Sequence, residues 1–521
     1  RLDLPMFNQT KEIQTHPLVA GLTFEDGRKI DTGVLPDAKL LFSPRIGFNY
    51  DIKGDRSMVL RGGSGVFTGK IPMVWIVAQS GDAGLIQFTQ TIQGQANVIA
   101  AGITSFKPDP AAYRPAVQPT PGTAIPSSVS ALTKDFRFPQ TWKSSLALDM
   151  KLPFGIYGTL EGIFNKDINV ARGINPNLVS GAPLNVSGYP DNRTIYPDAF
   201  RDKYINPLSS TGQPLANGAA AATAQFQPVV LVNSQQGYYA SLTAKLEKPF
   251  SNGLSAMVAY TRTAQQVIYD GSGDQLLNTW SLTQTVNSPN FTDASFSAFT
   301  VPDRWIASIS YRKEFLKHLA TSVSLFYEGS IQGRFSYTYS GDFNRDGVSG
   351  NDLIYIPKDP SEINFATLTT SAGSWTPAEQ SALFFAYVNQ DPYLSKHKGE
   401  YAQRNGAQLP WRSQVDFRFA QDIFTNIGQS KNVLQFTVDI FNVGNFLNKD
   451  WGVFKVVNNS AILVPTNTSA LVPGGAVVPT FRMATVNNLP LGDGVTSLGT
   501  FRNLNTLTST YYMQFGFRYS F

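Results

Sequence analysis

The sequence predicts an all-β chain: a transmembrane antiparallel β-barrel of outer-membrane type, carrying long extracellular loops. Three observations predict it. Segments of about ten residues alternate apolar and polar side chains, short turns and long links succeed one another between these segments, and the last strand ends in alternating aromatics.

Composition narrows the alternatives. Of 521 residues, 42% are hydrophobic and 15% charged, and the mean hydropathy is −0.13. No uninterrupted apolar run of about 18 residues offers a membrane helix. The 36 Phe and 21 Tyr suit a wall with an apolar outer face and interfacial rings. With no cysteine in the chain, a disulfide framework, a thiolate metal site and a cysteine nucleophile are excluded. The net charge of +5 comes from scattered basic residues rather than a stripe, so nucleic acid is not an expected partner. The chain opens Arg1-Leu2-Asp3-Leu4-Pro5, with neither Met nor a signal peptide, which predicts a processed or truncated chain.

Residues 1–43 read as an extracellular loop leading into the barrel, and residues 44–521 as C-terminal barrel strands with their loops. Residues 238–248 show the alternation most cleanly. Tyr238, Ala240, Leu242, Ala244 and Leu246 share one face, and Tyr239, Ser241, Thr243, Lys245 and Glu247 the other. The pattern recurs in Trp305, Ala307, Ile309 and Tyr311, in Leu319, Thr321, Val323, Leu325 and Tyr327, and in Val415, Phe417 and Phe419. A soluble sandwich also alternates, so the connections decide. Short turns are expected at Gly54-Asp55, Leu152-Pro153-Phe154-Gly155, Ser251-Asn252-Gly253, Leu316-Lys317 and around 425–430. The links between hairpins are long: about 69–140, 166–236, 264–303, 329–411 and 444–509. Compact soluble domains seldom hold repeated structureless links of this size, whereas outer-membrane barrels join short periplasmic turns to long extracellular loops. The stretches 108–127 and 181–218, rich in Pro, Gly, Ala, Ser and Asn, read as loop rather than strand.

This gives about eleven strands, with pairs near Trp451 and Phe481 able to add two. Bacterial barrels have even strand numbers, so an upstream strand is expected. Two bare edges would each leave about five N–H and five C=O groups in hydrocarbon, at several kcal/mol apiece.

In the last strand Phe515, Phe517, Tyr519 and Phe521 share one face and Gln514, Gly516, Arg518 and Ser520 the other. An arginine facing lipid at mid-membrane costs roughly 2–4 kcal/mol, so the aromatic face is expected outward and Arg518 inward. The four aromatics resemble the C-terminal signal read by barrel-assembly machinery; the alternative is an ordinary amphipathic edge strand.

Other segments carry a family likeness: Ser43-Pro44-Arg45-Ile46-Gly47-Phe48-Asn49-Tyr50-Asp51, Leu60-Arg61-Gly62-Gly63-Ser64-Gly65-Val66-Phe67-Thr68-Gly69, Asn351-Asp352-Leu353-Ile354-Tyr355-Ile356-Pro357 and Asp439-Ile440-Phe441-Asn442-Val443-Gly444-Asn445. As a set they resemble the TonB-dependent receptors of Bacteroidetes, in the Oar-like group with a carboxypeptidase-regulatory-like N-terminal domain. The resemblance implies the C-terminal portion of a roughly 22-stranded barrel, filled by a plug, that imports a ligand with energy delivered through TonB. Plug, TonB-contacting box and regulatory-like domain lie upstream in such proteins and are not found in this chain. Implied partners are outer-membrane lipid, the plug and remaining strands, the TonB system and outer-membrane lipoproteins.

Asp342-Phe343-Asn344-Arg345-Asp346-Gly347 matches the first half of a calcium loop, with oxygen ligands at alternate positions and a glycine for the turn. The glutamate expected at position twelve is replaced by Leu353, with Asp352 one residue early. The candidate ligands for Ca²⁺ are therefore Asp342, Asn344, Asp346 and Asp352, and the alternative is an Asp/Asn/Gly-rich loop held by its own hydrogen bonds. Gly63 to Lys70 is a glycine-rich strand rather than a phosphate loop, because Ser64 stands at the first required glycine and Ile71 follows Lys70. His16, His318 and His397 lack metal-ligand spacing and read as neutral surface or loop residues. No catalytic motif is present, so no catalytic residue is assigned and an enzyme is the last choice. Glu247, Glu328, Asp416 and Asp439 are expected in the lumen, paired within the wall. Beside the importer stand a structural or assembly subunit of a larger outer-membrane complex and an open porin.

Overall fold

The computed structural model describes all residues except 88–91, 93, 115–119 and 428–429. Eleven long strands form one antiparallel sheet in which sequence neighbours pair throughout. They are β1 (Arg45–Asp51), β2 (Met58–Thr68), β3 (Gln140–Leu152), β4 (Ile156–Asp167), β5 (Tyr238–Ser251), β6 (Leu254–Val267), β7 (Asp303–Phe315), β8 (Leu319–Ile331), β9 (Trp411–Ile427), β10 (Ser430–Phe441) and β11 (Tyr512–Ser520). The two-residue strand Ser295–Phe296 lies beside β6. Among the described residues, β1 pairs only with β2 and β11 only with β10, so the sheet has two outer edges. No helix among them is long and apolar enough to cross a membrane.

The alternation seen in the sequence becomes two faces. Leu242, Leu246, Val258, Trp305, Ile309, Val323 and Leu325 are exposed large hydrophobics on one side. On the other, Thr243 meets Thr261 at 2.9 Å, and ion pairs link Arg61 to Asp149 and Glu161 (2.8 and 3.1 Å), Arg312 to Asp422 (2.8 Å) and Arg418 to Asp439 (3.3 Å). Gly63, Ser64 and Gly65 sit within β2, in a strand as expected. Tight turns match the expected sites: Asn252 and Gly253 both have positive φ (53° and 81°), the primed geometry that follows strand twist. A side chain at Gly253 would meet the Arg312 carbonyl oxygen at 2.4 Å, so only glycine fits there. The turn around 425–430 joins β9 to β10 through the Ile427–Ser430 pairing, with its centre outside the described residues.

The long links are not structureless. All five leave the same end of the sheet and fold, with residues 1–44, into a cap with three buried cores. The first joins Leu184 and Ile195 to Tyr337, Tyr339, Phe343, Phe384, Leu463 and Phe481. Trp75, Tyr204, Leu231 and Trp280 belong to the second, and Val19, Phe24, Phe226 and Val230 to the third. Residues 1–43 are thus part of the cap as well as a lead into the wall. The stretch 181–218, expected as loop alone, contributes the strand pairs Ala182–Pro183 with Thr194–Ile195 and Leu208–Ser209 with Ala222–Ala224. The pairs expected near Trp451 and Phe481 exist, but as cap strands rather than wall: Lys455–Val457 with Phe501–Asn503, and Ala461–Pro465 with Thr480–Met483. Their short apolar runs are buried by other links, which no local pattern distinguishes from burial in lipid.

Among the described residues the longest cap helix has fourteen residues. Helix α1 (Pro377–Gln390) begins with a reciprocal capping box between Thr376 and Glu379 and with proline in its first turn, where the missing N–H costs nothing. Gln380, Phe384, Tyr387 and Val388 recur at the spacing of one helical face and are buried against the first core. It stops before Pro392, which favours extended backbone at Asp391.

Candidate functional site in the loop cap

The predicted site residues fall in three places. Phe515, Phe517, Tyr519 and Phe521 are exposed along β11, and Phe436 packs on Phe517 with ring centroids 5.2 Å apart. Arg518 lies opposite Gln435, on the other face from the aromatics. In the wall, Glu328 pairs with Arg304 at 2.8 Å, Glu247 with Lys245 at 2.8 Å and Asp439 with Arg418; Asp416 accepts from the Asn442 backbone N–H and the Gln414 amide. The histidines are dispersed. His16 is buried rather than at the surface, and caps the short helix Pro17–Gly21 through Nδ1; His397 pairs with Glu400 and His318 faces the Phe424 carbonyl.

The third place is the loop that carries Asp342, Asn344, Asp346 and Asp352. Its local order follows from residue type: Asn344 and Asp346 side chains each accept the backbone N–H two residues on, and Asp342 Oδ2 accepts from Gly347, which has a φ of 94°. Asp352 returns to the same loop, where its Oδ2 accepts from Phe343 and Asn344 N–H at 2.7 and 3.2 Å. Asp346 Oδ2 receives the Asn351 amide at 3.1 Å and the Asn344 amide at 3.5 Å. The loop is fastened to other links through Tyr196 N–H to the Asn344 carbonyl, Asn344 to the Asn287 carbonyl, Gln227 to the Gly347 carbonyl and Arg345 to the Thr468 carbonyl.

Beneath it lies a buried arginine that sequence reasoning missed. Arg193 is fully buried, forks onto both Asp191 oxygens at 3.0 Å, donates to the Leu353 carbonyl and stands 4.8 Å from the ring centres of Tyr339 and Phe343. Asp352 Oδ1 is its next carboxylate, 3.8 Å from Nη1. Burial opposes the Arg193 charge, but Asp191, Tyr339 and Asp352 outweigh it and hold its pKa above the ordinary value. The aspartates respond the other way. Burial, reinforced by Asp342, pushes Asp346 up to about 7. Burial and the Asp346 charge raise Asp352 well above its usual range, Arg193 acting against them, and burial raises Asp342 against the pull of Lys203. Asp191 and Arg193 are more than 140 residues from Asp352, so only the spaced motif at 342–347 was detectable in the sequence.

A two-faced sheet bearing short turns at one end and a packed cap at the other is a membrane wall, and the family comparison agrees: the outer membrane beta barrel domain family matches residues 3–450. The chain belongs to this family. It is accordingly an outer-membrane protein. No curated protein matches the chain. Solved structures similar to this family member include a variant of the ferric enterobactin receptor PfeA from Pseudomonas aeruginosa, at 8% identity and a TM-score of 0.35 over 85% of this chain and 39% of that one. Another is the outer membrane transporter YddB from Escherichia coli, at 11% identity and a TM-score of 0.36 over 86% and 40%. The chain spans about two fifths of the length of each. In this outer-membrane barrel domain, the acidic loop and Arg193 occupy the cap, away from the membrane-facing surface.

Proposed function

We propose that this chain is the C-terminal portion of the barrel of a TonB-dependent outer-membrane receptor, in the Oar-like group of Bacteroidetes, that takes up a ligand across the membrane. The observation that carries this reading is the pair of outer edges, on β1 and β11, left unpaired among the described residues, in a sheet whose outer face is apolar. Bare N–H and C=O groups in hydrocarbon cost several kcal/mol each, so strands from elsewhere must cover both edges. A barrel of roughly 22 strands built this way is too wide for its own side chains to fill, and takes a plug. Short turns then face the periplasm and the cap faces outward, where a receptor meets its ligand. The polar inner face, with its arginine–carboxylate rows, faces the plug. The aromatics Phe515, Phe517, Tyr519 and Phe521 serve as the assembly signal.

The test is purification of the native subunit from outer membranes, with intact mass, mapping of disulfides between cysteines placed on β1 and β11 and their partners, and uptake assayed with and without TonB. Cross-links to plug-bearing strands together with TonB-dependent uptake support the reading. A cross-link of β1 directly to β11, closing a barrel of these strands alone, would overturn it, and stable co-purification with lipoproteins without uptake would favour an assembly subunit.

A further inference from the structure

The acidic loop has oxygen atoms left over after its own hydrogen bonds are made. Asp342 Oδ1, Asn351 Oδ1 and Asp352 Oδ1 are buried with no hydrogen-bond partner. Asn351 is only 3% exposed and Asp352 fully buried, and Asn351 is held at the cluster by its own Nδ2, which donates to Asp346. A buried polar atom without a partner costs about 1–3 kcal/mol, more if charged; Asp352 Oδ1 has only the long approach of Arg193 Nη1, and Asp342 Oδ1 and Asn351 Oδ1 have not even that. Charge points the same way: among the described residues the one ion pair to Asp342, Asp346 or Asp352 within 4 Å is the 3.8 Å approach of Arg193 to Asp352, and Arg193 is already forked onto Asp191. Lys203 and Arg345 act from farther off.

We propose that Asp342, Asn344, Asp346, Asn351 and Asp352 bind one Ca²⁺. The donors are carboxylate and amide oxygens without a nitrogen or sulfur ligand, which disfavours zinc. Ca²⁺ tolerates six to eight oxygens in irregular arrangement, whereas Mg²⁺ demands octahedral geometry and retains water, a poor match to a buried loop. Among the described residues no three acidic or histidine side chains converge at chelating distance unaided, so the amides Asn344 and Asn351 complete the set. Asn344 keeps its Nδ2 on the Asn287 carbonyl and offers the second lone pair of its Oδ1, while Asn351 offers its unpartnered Oδ1. The cation then sits where links 167–238, 267–303, 331–411 and 441–512 meet, and locks the cap. The inference is independent of import.

The experiment uses the full-length protein extracted from outer membranes and stripped with EGTA. Ca²⁺ is titrated calorimetrically, and amide hydrogen exchange is followed at 342–352 and 190–196. Saturable binding with slowed exchange in both segments is expected, with equal Mg²⁺ giving neither. Asp342→Asn/Asp346→Asn should weaken that binding at least tenfold, while the wall substitution Asp416→Asn leaves it unchanged. Unaltered exchange at 342–352 in the folded wild type at 10-fold excess over about 1 mM Ca²⁺, the weak end for extracellular sites, overturns the proposal. That wild-type measurement decides even if the double variant does not assemble.

Discussion

The wall leaves its large apolar side chains uncovered, Phe517 at 78% and Leu242 at 55% exposure, whereas the cap encloses Phe481 and Trp280 almost completely. Their solvents differ. The wall's apolar residues meet lipid, which is as apolar as they are, so its cohesion comes from the ladder of backbone hydrogen bonds that runs unbroken from β1 to β11. The cap meets water and holds together by burying side chains and satisfying polar ones. The same aromatic ring is therefore worth much in one region and little in the other.

The largest expected effect sharpens that contrast. Phe481→Ala removes a ring stacked on Tyr339 at 5.3 Å and set edge-on to Phe343 at 5.4 Å. It should cost the cap about 3–5 kcal/mol, read as faster amide exchange across 461–465 while the barrel still migrates as a folded band on gels. Phe517→Ala, the same truncation on the lipid face, should change wall stability by far less. Equal losses at the two positions would break the comparison.

Polarity of substitution reverses the ranking. Leu246→Arg, on the outer face of β5 opposite Val258, should destabilise the barrel by about 2–4 kcal/mol in bilayer refolding. Thr243→Arg, on the inner face toward Thr261, should be tolerated. If both are tolerated, the outer face of β5 does not meet lipid.

The two regions also differ in how much of them could be read in advance. Period two survives in the wall because each residue's environment is set by its own position along the strand, so Tyr238 to Glu247 announced both faces. The turn at Asn252-Gly253 was equally local. In the cap, a side chain's surroundings are assembled from distant links: Arg193 finds the Leu353 carbonyl 160 residues away, and nothing near it in sequence signals that. The loop at 342–347 was legible because its ligand types repeat at alternate positions. Asn351 was not, because its relevance arises only when the chain folds back on Asp346. The strands near Trp451 and Phe481 were misplaced for the same reason, their apolar runs being compatible with either solvent.

A smaller effect should appear with pH, and in the cap alone. In metal-free protein Asp346 holds its proton up to about 7, while in the unfolded chain it ionises near 4. Between those values the native state binds more protons, so cap stability falls as pH rises from about 4 to 7. The protection factors at 342–352 in EGTA, corrected for the intrinsic rise of amide exchange with pH, should fall over that window. Those in β5 should stay flat.

The smallest effect tests the inner face of the wall. Glu328 and Arg304 are ion-paired at 2.8 Å, but both remain substantially open to solvent on the inner face, with side chains 38% and 47% exposed. Water screens such a pair, and exposed pairs contribute about 0–1 kcal/mol. Glu328→Gln should therefore lower wall stability by no more than about 1 kcal/mol in urea unfolding from bilayers, and high salt should erase the difference. Asp191→Asn in the cap offers the counterpart, since it removes the partner of a fully buried arginine, a change worth roughly 3–5 kcal/mol. A Glu328 effect as large as that of Asp191 would mean that the inner face beside β7 and β8 is dry, as the proposed plug packed against those strands would make it.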